Sequence, residues 1–133
     1  MAITSAVCTS FKVEILKGVH NFTASSGDTF KLALYTSSAS LGAATTAYTT
    51  SNEVSGSGYT AKGNALTSVT PVADSTTAVC DFADTSFTSA SFTARGCMIF
   101  NEDATGDPAV CVIDFGADKT VTSGTFTIQF PAA

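Results

Sequence analysis

A chain of 133 residues is the usual size of one domain, long enough to bury one core without cross-links. Its apolar fraction of 44% is ordinary, but only 13% of residues are charged, and 38 Ser and Thr fill the gap, a mixture that suits pleated surfaces and turns better than helices. A net charge of −5, scattered along the chain, argues against nucleic acid and anionic membrane surfaces as partners.

The first residues, Met1 to Cys8, have no basic stretch and no continuous apolar run, so they are not read as a secretory signal. No apolar run approaches the ~20 residues of a membrane helix. Without a signal, the glycosylation pattern Asn21-Phe22-Thr23 is read as chance.

Residues 10–17 carry the one convincing helix. Phe11, Ile15 and Leu16 recur at helical spacing, and Val19 continues that face. Thr9 or Ser10 is the expected cap, Gly18 the expected terminator, and Lys17 suits the last turn. So short a helix must pack on something, and a lid over one end of a β-structure is the expected role. His20, just past its end, is expected to cap the helix or lie at the surface.

Next comes the clearest strand, 29–36, where Phe30, Leu32 and Leu34 alternate with Lys31, Ala33 and Tyr35. Residues 37–64 differ: small, polar, Gly-rich and without strong periodicity, with short strands expected only near 46–50 and 58–62. Connections this long are commonly functional or disordered, so this excursion is the leading candidate for a partner surface, Glu53, Val54 and Tyr59 above all. Its excision over 45–58 is expected to leave a folded body that no longer binds.

The second half reads as strands at 65–70, 76–82, 90–100, 109–115 and 125–130, punctuated by Pro71, Asp84–Thr88, Gly106-Asp107-Pro108 and Gly116–Gly124. Short strands at this spacing predict a mainly β protein: a single antiparallel β-sandwich, jelly-roll-like, over 1–133, with one short N-terminal helix. Arg95 sits mid-strand among apolar neighbours. It either faces outward to solvent or pairs with Asp114 or Asp81, and it joins the candidate interface residues.

Chemistry is sparse. His20 is the only histidine, and no nucleophile-elbow, phosphate-loop or zinc-protease pattern is present, so the chain is read as not an enzyme and as holding no cofactor. Cys8, Cys80, Cys97 and Cys111 lack short-spaced pairs, so no metal site is expected. Cys80, Cys97 and Cys111 lie in apolar segments and read as small buried hydrophobes, with a Cys97–Cys111 disulfide the alternative. The stretch Asn101 to Asp107 partly imitates a calcium loop, but Val112 stands where a bidentate Glu is required. A polar hairpin tip is the reading adopted.

Several segments together carry a resemblance: Ser10-Phe11-Lys12 with Leu16 to Phe22, Asp28 to Thr36, Asn52 to Thr60, Phe92 to Gly96, and Asp114 to Thr120. In this order they resemble small proteins from tailed-bacteriophage structural gene clusters, capsid cement (decoration) proteins in particular, and the likeness spans nearly the whole chain. The cysteines and the acidic tip at 101–107 depart from that pattern. The resemblance implies a virion protein on the capsid surface that bridges major capsid protein subunits, itself a dimer or trimer. A tail, neck or fibre-associated component is the alternative. A carbohydrate-binding adhesion module is the third reading, weakened by the absence of Trp and the presence of only Tyr35, Tyr48 and Tyr59.

Overall fold

The structure is a computed structural model and describes residues 2–131. Strands β1 (Ala6–Val7), β2 (Phe30–Tyr35), β3 (Asn64–Ala65), β4 (Ser68–Asp74), β5 (Thr77–Phe82), β6 (Thr85–Asn101) and β7 (Ala109–Ile128) accompany one helix, α1 (Thr9–Leu16). The chain is mainly β with antiparallel sheets, as its Thr, Val and Phe content predicts. The larger sheet has the order β1-β7-β6-β2-β3, and β4 and β5 form a separate two-stranded sheet.

Alternation along β2 sets the core. Phe30, Leu32 and Leu34 join Cys97 and Ile99 of β6 on one face of the large sheet. Ala33 and Tyr35 join Met98, Phe100 and Val112 on the other. The second face is sealed by Ile3, Ala39 and Leu41, held by hydrogen bonds from Thr4 N to Leu41 O (2.9 Å) and Leu41 N to Ala2 O (3.1 Å).

β6 and β7 form one long ribbon where shorter strands are expected from sequence. The stretches at 84–88 and 116–124 read as breaks because their Ser, Thr and Gly residues show no buried face; in the structure they are the outer part of the ribbon, paired from Thr85↔Ile128 to Ala94↔Lys119. Gly116, at φ 82°, marks an irregularity that leaves the ladder intact on either side. Pro71 likewise lies inside β4 instead of ending a strand, at the register shift between Val69 and Val72, a place where its missing N–H costs no ladder bond. The strands expected near 46–50 and 58–62 are absent among the described residues; the first stretch makes one isolated bridge, Ala47↔Pro108, and the second makes none, Ser57↔Ser91 lying just before it.

Helix α1 begins one residue earlier than expected and its cap position is Cys8, whose side chain makes no cap bond. Gly18 terminates it at φ 72°, as expected. Of the anticipated apolar stripe only Phe11 faces the core: Ile15 and Val19 are exposed, and Leu16 is 90% exposed. Glu14 joins Phe11 on the inward side, both toward His20. His20 is therefore buried, at 7% exposure, and does not lie at the surface. Its ring is 4.9 Å from that of Phe11, its Nε2 is 3.0 Å from Glu14 Oε1, and its Nδ1 is 3.0 Å from Asn101 Nδ2. The Asn101 amide can only donate there, so Nδ1 accepts and Nε2–H donates to Glu14.

Candidate functional site

The excursion at 37–64 is polar in composition but is fastened to the body. Val54 is buried and its N–H donates to Leu34 O (2.9 Å). The Glu53 carboxylate accepts from Tyr48 Oη at 2.6 Å, from the Tyr59 hydroxyl and from Lys62 N at 2.8 Å. Tyr59 Oη also accepts from Leu34 N (3.0 Å), and Tyr35 Oη donates to Thr49 O (2.7 Å). Burial and the Glu53 charge push the Tyr48 and Tyr59 hydroxyls far above the ordinary tyrosine range, so both stay protonated and donating. Two glycines permit the close approach. A Cβ on Gly63, at φ 71°, would lie 1.8 Å from Leu32 O, and one on Gly58, at φ 79°, 2.7 Å from Ala90 Cα.

Three of the four candidate interface residues thus spend their side chains on internal contacts: Val54 in the core, Glu53 and Tyr59 in the network beside it. The fourth, Arg95, lies 3.2 Å from Asp114 Oδ1 and 3.6 Å from Asp118 Oδ1, at the partly exposed base of the β7 irregularity. Asp114 is its partner and Asp81 is not. The Gly116 N–H and then Arg95 hold the Asp114 carboxyl below the usual carboxylate range. Tyr35 is buried, and Tyr48 and Tyr59 are partly buried, with their rings against Phe100 and against Phe87 and Phe92.

The acidic tip is similarly engaged. Lys31 lies 3.2 Å from Glu102, Lys62 2.7 Å from Asp107, and Asp103 accepts from Thr29 N at 2.6 Å. Asn101 organises the turn from below, its Oδ1 accepting from Asp103 N and Ala104 N and its Nδ2 donating to Asp28. Every carboxylate at the tip has a cation or an N–H already in place. A shallow depression of about 610 Å³, lined by Ala2, Thr4, Leu41 to Thr46 and Thr49, contains no titratable side chain.

The surface that lacks such closure is apolar and lies elsewhere. β4 and β5 project from the body as an arm in which every residue from 69 to 78 is exposed. Its root is fixed: Phe82 packs against Phe22, Phe30 and Phe130, and Ala83 N donates to Thr67 O (2.9 Å). Side chains alternate along β5, so Cys80 and Ala78 point the same way as Phe82, toward the large sheet. They do not reach it. Between them lies a groove of about 510 Å³, with Phe11, Ile15 and Phe22 on one wall, Ile99, Val110 and Cys111 as its floor, and Pro71, Ala78 and Cys80 on the arm side. A second groove of about 590 Å³ follows on the same face, between Cys97, Ile113 and Phe115 and the segment Phe126 to Pro131.

All four cysteines are free, Cys97 and Cys111 included. Those two are diagonal neighbours on one sheet face, since Cys97 opposes Ile113 and Cys111 opposes Ile99. Cys97 is buried and Cys111 half-buried, but Cys80 is exposed, contrary to the reading of its apolar segment as a core strand. The period-2 pattern of 76–82 correctly marks a strand; nothing in it says whether a second layer covers that strand.

Among the described residues, no helix is long and apolar enough to cross a membrane. No family model, no curated protein and no solved structure matches the chain.

Proposed function

We propose that this chain is a contact-making structural protein of a tailed-phage particle, a capsid cement protein that binds the outer shell and bridges major capsid protein subunits. One observation carries the contact-making role: a large apolar sheet face is left half-covered beside an arm exposed along its length, while the ionisable side chains around His20, Glu53 and Asp107 are tied into internal pairs. Monomeric proteins seldom leave extended apolar ground open without a partner. The phage assignment rests on the sequence resemblance.

The physical logic is avidity. A rigid body that binds only the assembled shell stabilises it by mass action. Touching two or three subunits at once, as a dimer or trimer, multiplies modest contacts. The ionisable groups around His20, Glu53 and Asp107 are tied down by structural contacts, which fits a non-catalytic role.

Quantitative mass spectrometry of purified particles tests the proposal. Hundreds of copies per particle are expected for a shell protein. A dozen or fewer would move the chain to the tail or neck, and absence from particles would overturn the virion assignment altogether.

A further inference from the structure

The arm and the groove beneath it suggest a moving part that the contact-making role does not require. Pro71, Ala78 and Cys80 present an apolar surface to an apolar floor, yet all three are exposed. The groove is open, and its two apolar sides would each gain by meeting. The arm is held to the body near its root only, by Phe82 packed on Phe22, Phe30 and Phe130 and by a side contact in which Ala24 N donates to Thr70 Oγ1 (3.0 Å). An isolated two-stranded hairpin is marginal in water, so this element has reason to seek a second layer.

Two thiols stand on opposite sides of that space. Cys80 points inward from the arm, and Cys111 lies on the sheet floor. We propose that the β4–β5 arm closes over the groove and that Cys80 and Cys111 meet as it does, so that a small disulfide oxidant latches the closed arm covalently. Bridging requires Cα atoms within about 7 Å. Closure of the arm supplies that approach; Cys97, buried deeper on the same face, and Cys8, on the opposite face, have no such access.

The step balances as two thiol–disulfide exchanges with oxidised glutathione. The Cys80 thiolate, its proton lost to solvent, attacks one glutathione sulfur and expels the other glutathione as a thiolate, leaving a mixed disulfide. Cys111, deprotonated in turn, attacks the Cys80 sulfur and expels the second glutathione. Two protein thiols are oxidised and one glutathione disulfide is reduced to two thiols. Burial pushes the Cys111 thiol up to about 11, so it is a weak nucleophile near neutrality and the latch forms slowly.

The test is to incubate the reduced, full-length protein with oxidised glutathione and follow intact mass and peptide maps under non-reducing conditions. The expected product is a monomer lighter by two hydrogens, with Cys80 linked to Cys111 and with severalfold weaker binding of an environment-sensitive apolar dye. Cys80→Ser and Cys111→Ser should each abolish the link, while Cys8→Ser should leave it. Because Cys80 is exposed, its replacement does not threaten folding; alkylating Cys80 in the native chain before oxidation gives the same readout without a mutation. A persistent Cys80–glutathione adduct, a Cys80–Cys80 dimer or a Cys97–Cys111 link in its place would each overturn the proposal.

Discussion

The excursion at 37–64 and the arm at 68–82 exchange the roles their sequences advertise. The first is rich in Gly, Ser and Thr and reads as a loose surface; in the fold it runs over one sheet face and along the β2 edge, fixed by the Glu53 network and by Val54. The second contains Val69, Val72, Val79 and Phe82 and reads as core strand; in the fold only Phe82 is buried. What separates them is the fate of their polar groups. The excursion finds partners for its hydroxyls and amides inside the protein, whereas the arm satisfies its backbone within its own two-stranded ladder and is tied to the body only by Phe82 and the Ala24–Thr70 bond.

The sharpest way to break this comparison is to remove the excursion. On the sequence alone, excising 45–58 deletes a binding loop and keeps the fold. The structure predicts the opposite, because that segment carries Tyr48, stacked at 4.8 Å on Phe100, together with Glu53 and Val54. The excised chain is expected to lose cooperative unfolding and the near-ultraviolet dichroism of its buried tyrosines. A two-state transition close to that of the full chain would show that the excursion is only draped on the body.

A single atom group probes the same point more gently. Glu53→Ala strands two tyrosine hydroxyls and the Lys62 N–H, each of which costs on the order of 1–3 kcal/mol if left unpaired. Some of that is recovered by water at the half-exposed Tyr48, so a loss of about 3 kcal/mol in urea unfolding is expected. That is a large part of the 5–15 kcal/mol typical of a domain. Glu53→Gln keeps one acceptor oxygen and should cost roughly half as much. A loss below about 1 kcal/mol for the alanine variant would mean that the network decorates the excursion without holding it.

How far the sequence could be read follows from the same distinction. The alternation of Phe30, Leu32 and Leu34 was legible because burial on one face leaves a period in the hydrophobicity. The terminator Gly18 was legible because a left-handed φ favours glycine. His20 was misread, since a histidine after a helix looks solvent-bound until Glu14 and Asn101, 81 positions away, are brought against its two nitrogens. Glu53 and Tyr59 were singled out by sequence, and they do matter to the molecule, but in fixing its fold. That Cys80, Phe115 and Phe130 line open grooves was not legible, because an uncovered strand and a covered one share the same pattern. Only the count of layers distinguishes them, and that is a property of tertiary structure.

The smallest expected effect tests the arm from the other side. Val72 is 58% exposed, the most open of the arm's large apolar residues. Val72→Thr keeps the β-branched shape and the strand preference while replacing a methyl by a hydroxyl that water can reach. Exposed substitutions of this kind change stability by at most about 0.5 kcal/mol. The same change at a covered strand position costs more, because the hydroxyl must be desolvated without a partner. Equilibrium unfolding of dilute Val72→Thr should therefore superimpose on that of the parent. If it cost more than about 1 kcal/mol, and if the cost grew with protein concentration, the outer face of the arm would already be covered by a second copy. A cost of that size independent of concentration would place the arm against its own body and erase the contrast between the two regions.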